Sequence, residues 1–117
     1  MVTFWPWQPD AEKRCAVIFE RPTAHCLGPP NDEALHGHPF YEGGLDLYRW
    51  AEVLNSPWIQ QICERNRVHM RHTDTMFDSH RQFIGTFQDS TLEVIAQRYS
   101  FSDSADIQEK TLKEIRV

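Results

Sequence analysis

Two short histidine pairs are the first residues in this chain whose types and spacing suit chemistry. They are His36-Gly37-His38-Pro39 and His69-Met70-Arg71-His72. An H-x-H pair on an extended loop can aim both rings at one ion where the backbone bends at Gly37. An H-x-x-H pair at a helix end can do the same. An open zinc or iron site takes three protein ligands and leaves a position for water or substrate. His36, His38, His69 and His72 are therefore the candidate metal ligands, with Glu93 as a carboxylate that separate elements could bring to them. Without a metal, His36 or His38 beside Glu93 would act as general base and orienter, with Tyr41 as hydrogen-bond donor. The plainer reading of the same histidines is that they cap a helix, bond loop backbone or stand in water.

Three further residues are candidates for holding a ligand: Tyr41, Trp50 and Arg71. Arg65, Arg67, Arg71 and Arg81, with His69, His72 and His80 among them, make a locally basic stretch that could hold an anion. A solvated helix face paired with nearby aspartates explains it as well. Trp5, Trp7, Phe40, Tyr41, Trp50 and Trp58 either line a pocket or interface or complete a small core. There is no G-x-S-x-G, no P-loop and no G-x-G-x-x-G, so serine-hydrolase and nucleotide readings have no support. Cys15, Cys26 and Cys63 are odd in number and lack C-x-x-C spacing, which suits reduced thiols in the cytoplasm. Cys15 and Cys63 sit beside apolar residues and read as small hydrophobes.

The chain has 117 residues, enough for one compact domain. Its formal charge of −5 argues against a general nucleic-acid or anionic-membrane binder, because phosphate binding needs a basic footprint. Apolar runs such as Ala16–Phe19 are too short to span a membrane. The first ten residues lack the basic and apolar regions of a secretory signal. Their prolines at positions 6 and 9 imply an extended, Trp-bearing arm.

The elements that must position the candidate residues can be read in order. Arg14–Glu20 is rich in β-branched and aromatic residues and reads as a buried strand ended by Pro22. The prolines and glycines of Leu27–Gly44 read as a long loop, with one helical turn near Asn31–Leu35. Leu45–Leu54 suits either period; the aromatic and β-branched second half favours a strand from about Tyr48. Ser56-Pro57 is a helix start, with Trp58, Ile59, Ile62 and Cys63 recurring at helical spacing to about Arg67. Val68–His80 reads as a connection.

Gln82–Gln97 reads as a hairpin. A turn at Asp89-Ser90 sets Phe87 against Leu92, Gly85 against Val94 and Phe83 against Ala96; a four-residue loop fits equally well. Past Tyr99, Ser104 could cap a C-terminal helix bearing Ile107, Thr111, Leu112 and Ile115 on one side.

The stretch GPPNDEALHGHPFYEGGLDLYRW, then EVLNSPWI, NRVH and FIGTFQDSTLEVIA, resembles a small family of uncharacterised stand-alone bacterial proteins over about Gly28–Ala96. The resemblance implies a bacterial, cytoplasmic, single-domain protein and brings no activity with it. Similar sequences tend to have a histidine where this chain has Gln82 or Gln88.

The reading as a whole is an α+β fold in one small domain. An antiparallel sheet of about four strands contains the hairpin, the Arg14–Glu20 strand and Tyr48–Leu54. One main helix packs on a face, and a pocket walled by Tyr41 and Trp50 is bordered by the histidines. A homodimer through an exposed sheet edge fits this architecture. Two functions suit it. One is a non-catalytic binding protein for a protein partner or small molecule. The other is a small metal-dependent or histidine-based enzyme, with zinc or iron as cofactor. Convergence of His36, His38, His69 and His72 would decide between them.

Overall fold

The computed structural model describes residues 2–4, 15–102 and 112–116. Eight strands are formed among them: β1 (Val2–Phe4), β2 (Cys15–Glu20), β3 (Ala24–Gly28), β4 (Trp50–Leu54), β5 (Arg81–Thr86), β6 (Thr91–Ala96), β7 (Arg98–Ser102) and β8 (Lys113–Arg116). A 3-10 turn, Asp32–Gly37, follows β3, and one α-helix, α1 (Pro57–Asn66), follows β4. The fold is α+β, as the residue pattern implies. Of the expected Trp-bearing arm only Val2–Phe4 is described, as β1; Trp5, Trp7 and the start of the expected C-terminal helix lie outside the described residues.

The main sheet has five strands in the order β3-β6-β5-β4-β8, and a second sheet has three in the order β1-β2-β7. The main sheet is mixed rather than antiparallel, because β8 runs parallel to β4. Leu112–Arg116 thus does not continue a helix: Ile115, fully buried, lies opposite Val53 at the sheet edge. The strand at Cys15–Glu20 is real but belongs to the smaller sheet, paired with β1 and β7, and of Ala16–Glu20 only Val17 is buried.

A single long ribbon joins the two sheets. β2 and β3 are almost continuous, and so are β6 and β7. Glu20 pairs with Arg98 and Ala24 with Ile95, so three residues face two across the junction. That is a β-bulge, with Arg21 in the left-handed region at φ 52° and Pro22 where a missing N–H does least harm. The bulge turns the ribbon so that Phe19 and Tyr99 fold back over the main sheet. Phe19 meets Trp50 and Phe83 at ring-centroid distances of 5.6 and 5.5 Å, and Tyr99 meets Phe83 at 5.2 Å.

Both faces of the main sheet are therefore covered. Phe83, Leu92, Val94 and Ala96 form one core beneath Phe19, Trp50, Phe87 and Tyr99. Ala51, Val53, Ile84 and Ile115 form the other, beneath Leu35, Leu45 and Phe40 from the 3-10 turn and the loop after it. At the end of the first core, the Arg81 guanidinium lies over the Phe83 ring and binds both oxygens of Glu52 at 3.0 and 2.6 Å. The helix does not supply a core layer, contrary to the pattern reading: no residue of α1 is buried, and its apolar side is half covered.

Two sequence readings need correction in detail. In the hairpin, Phe83 faces Val94, Gly85 faces Leu92 and Thr86 faces Thr91, a shift of two residues that leaves every side chain on its expected face. The connection is the four-residue loop Phe87–Ser90, closed by Phe87 N–H to the Ser90 carbonyl at 2.9 Å. The strand expected from Tyr48 begins at Trp50. Tyr48 sits at φ 56°, a left-handed position for a non-glycine residue, and its hydroxyl donates to the Asp32 carboxylate. That hydrogen bond also holds the phenol proton and raises the Tyr48 pKa.

Gly85 is where Trp50 crosses β5. A Cβ there would lie 2.7 Å from the indole ring. We expect Gly85→Ala to cost about 1–3 kcal/mol by overpacking, read as a lower urea midpoint. Combined with Trp50→Leu, it should cost less than the two single changes summed.

Candidate functional site

One chain of polar side chains crosses the apolar interior. It starts at Ser56, the N-cap of α1, whose Oγ accepts the Ile59 N–H at 3.1 Å. The Ser56 hydroxyl donates to Oε1 of Gln82, which is 0 % exposed on β5. Gln82 Nε2 donates to Glu93 Oε1 on β6 at 2.7 Å. The other Glu93 oxygen faces His38 Nε2 at 3.7 Å, in ion-pair range but too long for a direct hydrogen bond. Beyond Glu93, on the β3 edge, Cys26 stands directly opposite it and is exposed.

The sequence reading set His36 or His38 beside Glu93; the structure brings His38 to it and leaves His36 exposed. The chemistry available to that pair is narrower than a general-base reading requires. His38 Nδ1 accepts the Phe40 N–H at 3.0 Å, so the neutral ring carries its proton on Nε2, toward Glu93. No lone pair is left for a substrate proton or a metal ion. The side chain is only 7 % exposed and packs on Phe40. His36 is exposed on the 3-10 turn, edge-on to Tyr41 at 6.5 Å. Tyr41 and Trp50 do not wall one pocket. Trp50 belongs to the core under Phe19 and Phe87, whereas Tyr41 follows Phe40 over the opposite face.

The second histidine pair lies elsewhere, beyond the end of α1. There the chain makes consecutive tight turns: His69 N–H to the Asn66 carbonyl at 2.9 Å, His72 N–H to the His69 carbonyl at 3.0 Å, and Arg71 N–H to His69 Nδ1 at 3.0 Å. These bonds fix a tip on which Val68 and Met70 are 92 and 99 % exposed. Arg71 is exposed beside Met70. Among the described residues neither Arg65 nor Arg71 has an ion pair, whereas Arg67 is tied to Glu64 at 2.9 Å and to Asp74 at 3.5 Å.

His72 turns inward from this tip. Its Nε2 is 3.0 Å from Asp74 Oδ1, and its Nδ1 is 2.9 Å from the Asn66 side-chain amide, which also reaches Met76 Sδ at 3.2 Å. Cys63, one helical turn before Asn66, completes a cluster with His72 and Asp74 whose donor atoms all lie within 4.8 Å of one another. Among the described residues no three of His36, His38, His69 and His72 form such a cluster. The hydrogen bond from His72, with Arg67 nearby, holds the Asp74 carboxyl below its ordinary pKa.

Pattern reading passed over Gln82, Cys63 and Asp74. Gln82 stands in a strand as an ordinary polar residue; the signal was its parity, which places it on the same inward face as Ile84 and Glu93. Cys63 looked like one more apolar helix position, and Asp74 one more loop acid. His80, expected near the hairpin entrance, stacks edge-on to Phe77 with its Nδ1 buried and without a hydrogen-bond partner.

Compared with protein-family models, with curated proteins and with solved structures, the chain matches none. No helix among the described residues is long and apolar enough to cross a membrane.

Two outcomes test this geometry. Gln82→Met keeps the volume but strips Ser56 and Glu93 of a partner, and should cost about 1–3 kcal/mol in chemical unfolding. Adding Ser56→Ala should cost less than the sum, since both changes break the same bond. Asp74→Asn removes a contribution tied to a lowered carboxyl. That contribution is complete above the ordinary value of 3.8 and is lost as pH falls through the lower folded value, so the wild-type and variant stability curves should converge in acid.

Proposed function

We propose that this is a non-catalytic cytoplasmic binding protein that docks another protein through the Val68–His72 tip. The observation that carries the reading is the nearly complete exposure of Val68 and Met70 on a turn whose backbone is hydrogen-bonded in place. Scattered exposed hydrophobes need no explanation, but two within three residues on a fixed turn make a preformed anchor. Methionine adapts its shape to a partner's pocket at little cost. Arg71 beside Met70, and Arg65 near the end of α1, are exposed cations without an ion pair among the described residues, in a chain of net charge −5. The partner that complements them is an acidic protein surface with an apolar hollow. Arg71 keeps the ligand-binding role that its position in the sequence suggests.

The enzymatic alternative, built on His36/His38 and His69/His72, draws less support. His38 Nδ1 is taken by the Phe40 N–H while its Nε2 faces Glu93, and His69 Nδ1 is taken by the Arg71 N–H. The outer edge of β3, which pairs with no strand among the described residues, suits a homodimer, which the same experiment distinguishes.

The test places a photoreactive residue at Met70, and separately at the exposed Leu47, in the cell that makes the protein. We expect a discrete heterologous adduct from position 70, none from position 47, and loss of the adduct on Arg71→Glu. Val68→Ser with Met70→Ser should leave stability within about 0.5 kcal/mol while removing binding. An adduct of twice the chain mass, or none at position 70, overturns the reading.

A further inference from the structure

We propose that Cys63, His72 and Asp74 form a site for a divalent transition-metal ion, with zinc the best match. The three donors come from two elements that sequence distance separates: Cys63 from the second half of α1, His72 and Asp74 from the turns beyond it. The donor atoms all lie within 4.8 Å of one another and His72 Nε2 and Asp74 Oδ1 are already 3.0 Å apart, so only the longer separations need to close, by about 1 Å, to reach the edges of a zinc tetrahedron with bonds of roughly 2.0–2.3 Å. A thiolate, an imidazole and a carboxylate together select zinc or iron(II) over magnesium or calcium, which take oxygen ligands. Asp74, 68 % exposed, leaves the outer side of the site to water, so three protein ligands and one open position result.

A second observation sets this group apart from a chance cluster. The Asn66 side-chain amide lies 2.9 Å from His72 Nδ1, its nitrogen toward the ring; turned over, its oxygen would be the outer-shell acceptor that orients a ligating imidazole. In the metal-free protein His72 Nε2–H donates to Asp74. Binding exchanges that bond for metal bonds to Nε2 and to the carboxylate. The ring proton moves to Nδ1, where the Asn66 amide turns over to accept it through Oδ1. The Cys63 thiol proton leaves to solvent, so a neutral-ring site releases one proton per ion. Arg67 is the opposing charge. It lies 3.5 Å from Asp74 and retains Glu64, at 2.9 Å, as its partner when an ion takes the carboxylate.

The ion would tie the base of the exposed tip to α1, but its binding does not depend on whether that tip docks a partner. The test uses the full chain, reduced and stripped of metal, titrated with cobalt(II) and then zinc. We expect tetrahedral d–d bands and a thiolate-to-cobalt charge-transfer band that saturate at one equivalent and are displaced by zinc. Cys63→Ser should abolish the charge-transfer band, and Cys26→Ser should leave it intact. Asn66→Leu should weaken zinc about ten- to a hundredfold, and Arg67→Gln should tighten it. Asp74→Ala alters an exposed side chain, so the fold survives, and it should weaken zinc at least about tenfold. The proposal is overturned if no thiolate band appears at one equivalent, if the band follows Cys26 instead, or if Asp74→Ala leaves zinc affinity unchanged.

Discussion

Gln82 has no surface to offer to water, and a primary amide so placed must find partners for its oxygen and its hydrogens inside the protein. It finds them in Ser56 and Glu93. Those two contacts tie three elements together: the start of α1, the central strand β5 and its neighbour β6. His38 then brings the 3-10 turn to the same carboxylate. Apolar packing alone would let these elements slide, because one methyl group serves nearly as well as the next. A buried amide with directional bonds admits far fewer arrangements, and the sheet has few options once it is satisfied.

That arrangement also decides where function can reside. The central strand β5 is buried on both faces, and aromatic rings or aliphatic side chains fill the space on either side. Little interior is left for a ligand cavity between the layers. The helix, by contrast, is anchored at its N-cap and contributes no buried residue. Its second half can therefore carry Cys63, Asn66 and the turns beyond without a debt to the core. The proposed metal site and the proposed docking tip both fall at the far end of this helix, which buries no residue of its own.

Much of this was legible in the residues, and the omissions have physical causes. Ser56-Pro57 marked the helix because a cap and a proline at the first turn act locally. β4 suited either period, and only its aromatic and β-branched residues favoured the strand that Ala51 and Val53 bury in the structure. The hairpin faces were right while its register was two residues out, since parity fixes the face but the loop fixes the pairing. β3 was lost among histidine, glycine and proline, β7 among serines, and β8 because Leu112 and Ile115 suit helical spacing too. Their partners lie far along the chain, so no local window shows them. The pairing of His38 with Glu93 was legible as residue types. Cys63 with His72 and Asp74 was not, because only the turns after α1 bring the helix thiol to them.

The order of strands in the main sheet bears on how quickly the domain is assembled. In the main sheet only β5 and β6 are joined by a short loop; β4 and β5, also paired and next to each other in strand order, are separated by α1 and the turns after it. β3 must find β6, and β8 must find β4, across long intervening segments. Topologies dominated by such distant pairings fold in about milliseconds to seconds, far slower than helical bundles of the same size. The hairpin can form first because closing a four-residue loop costs little entropy. It already contains Gln82 and Glu93, so half of the buried polar chain exists before Ser56 and His38 arrive. Until they do, the amide and the carboxylate remain in water, and desolvating them is deferred to the last docking steps. The rate at which this protein reaches its native state is thus set by how soon a distant serine and a distant histidine are brought to a locally formed pair.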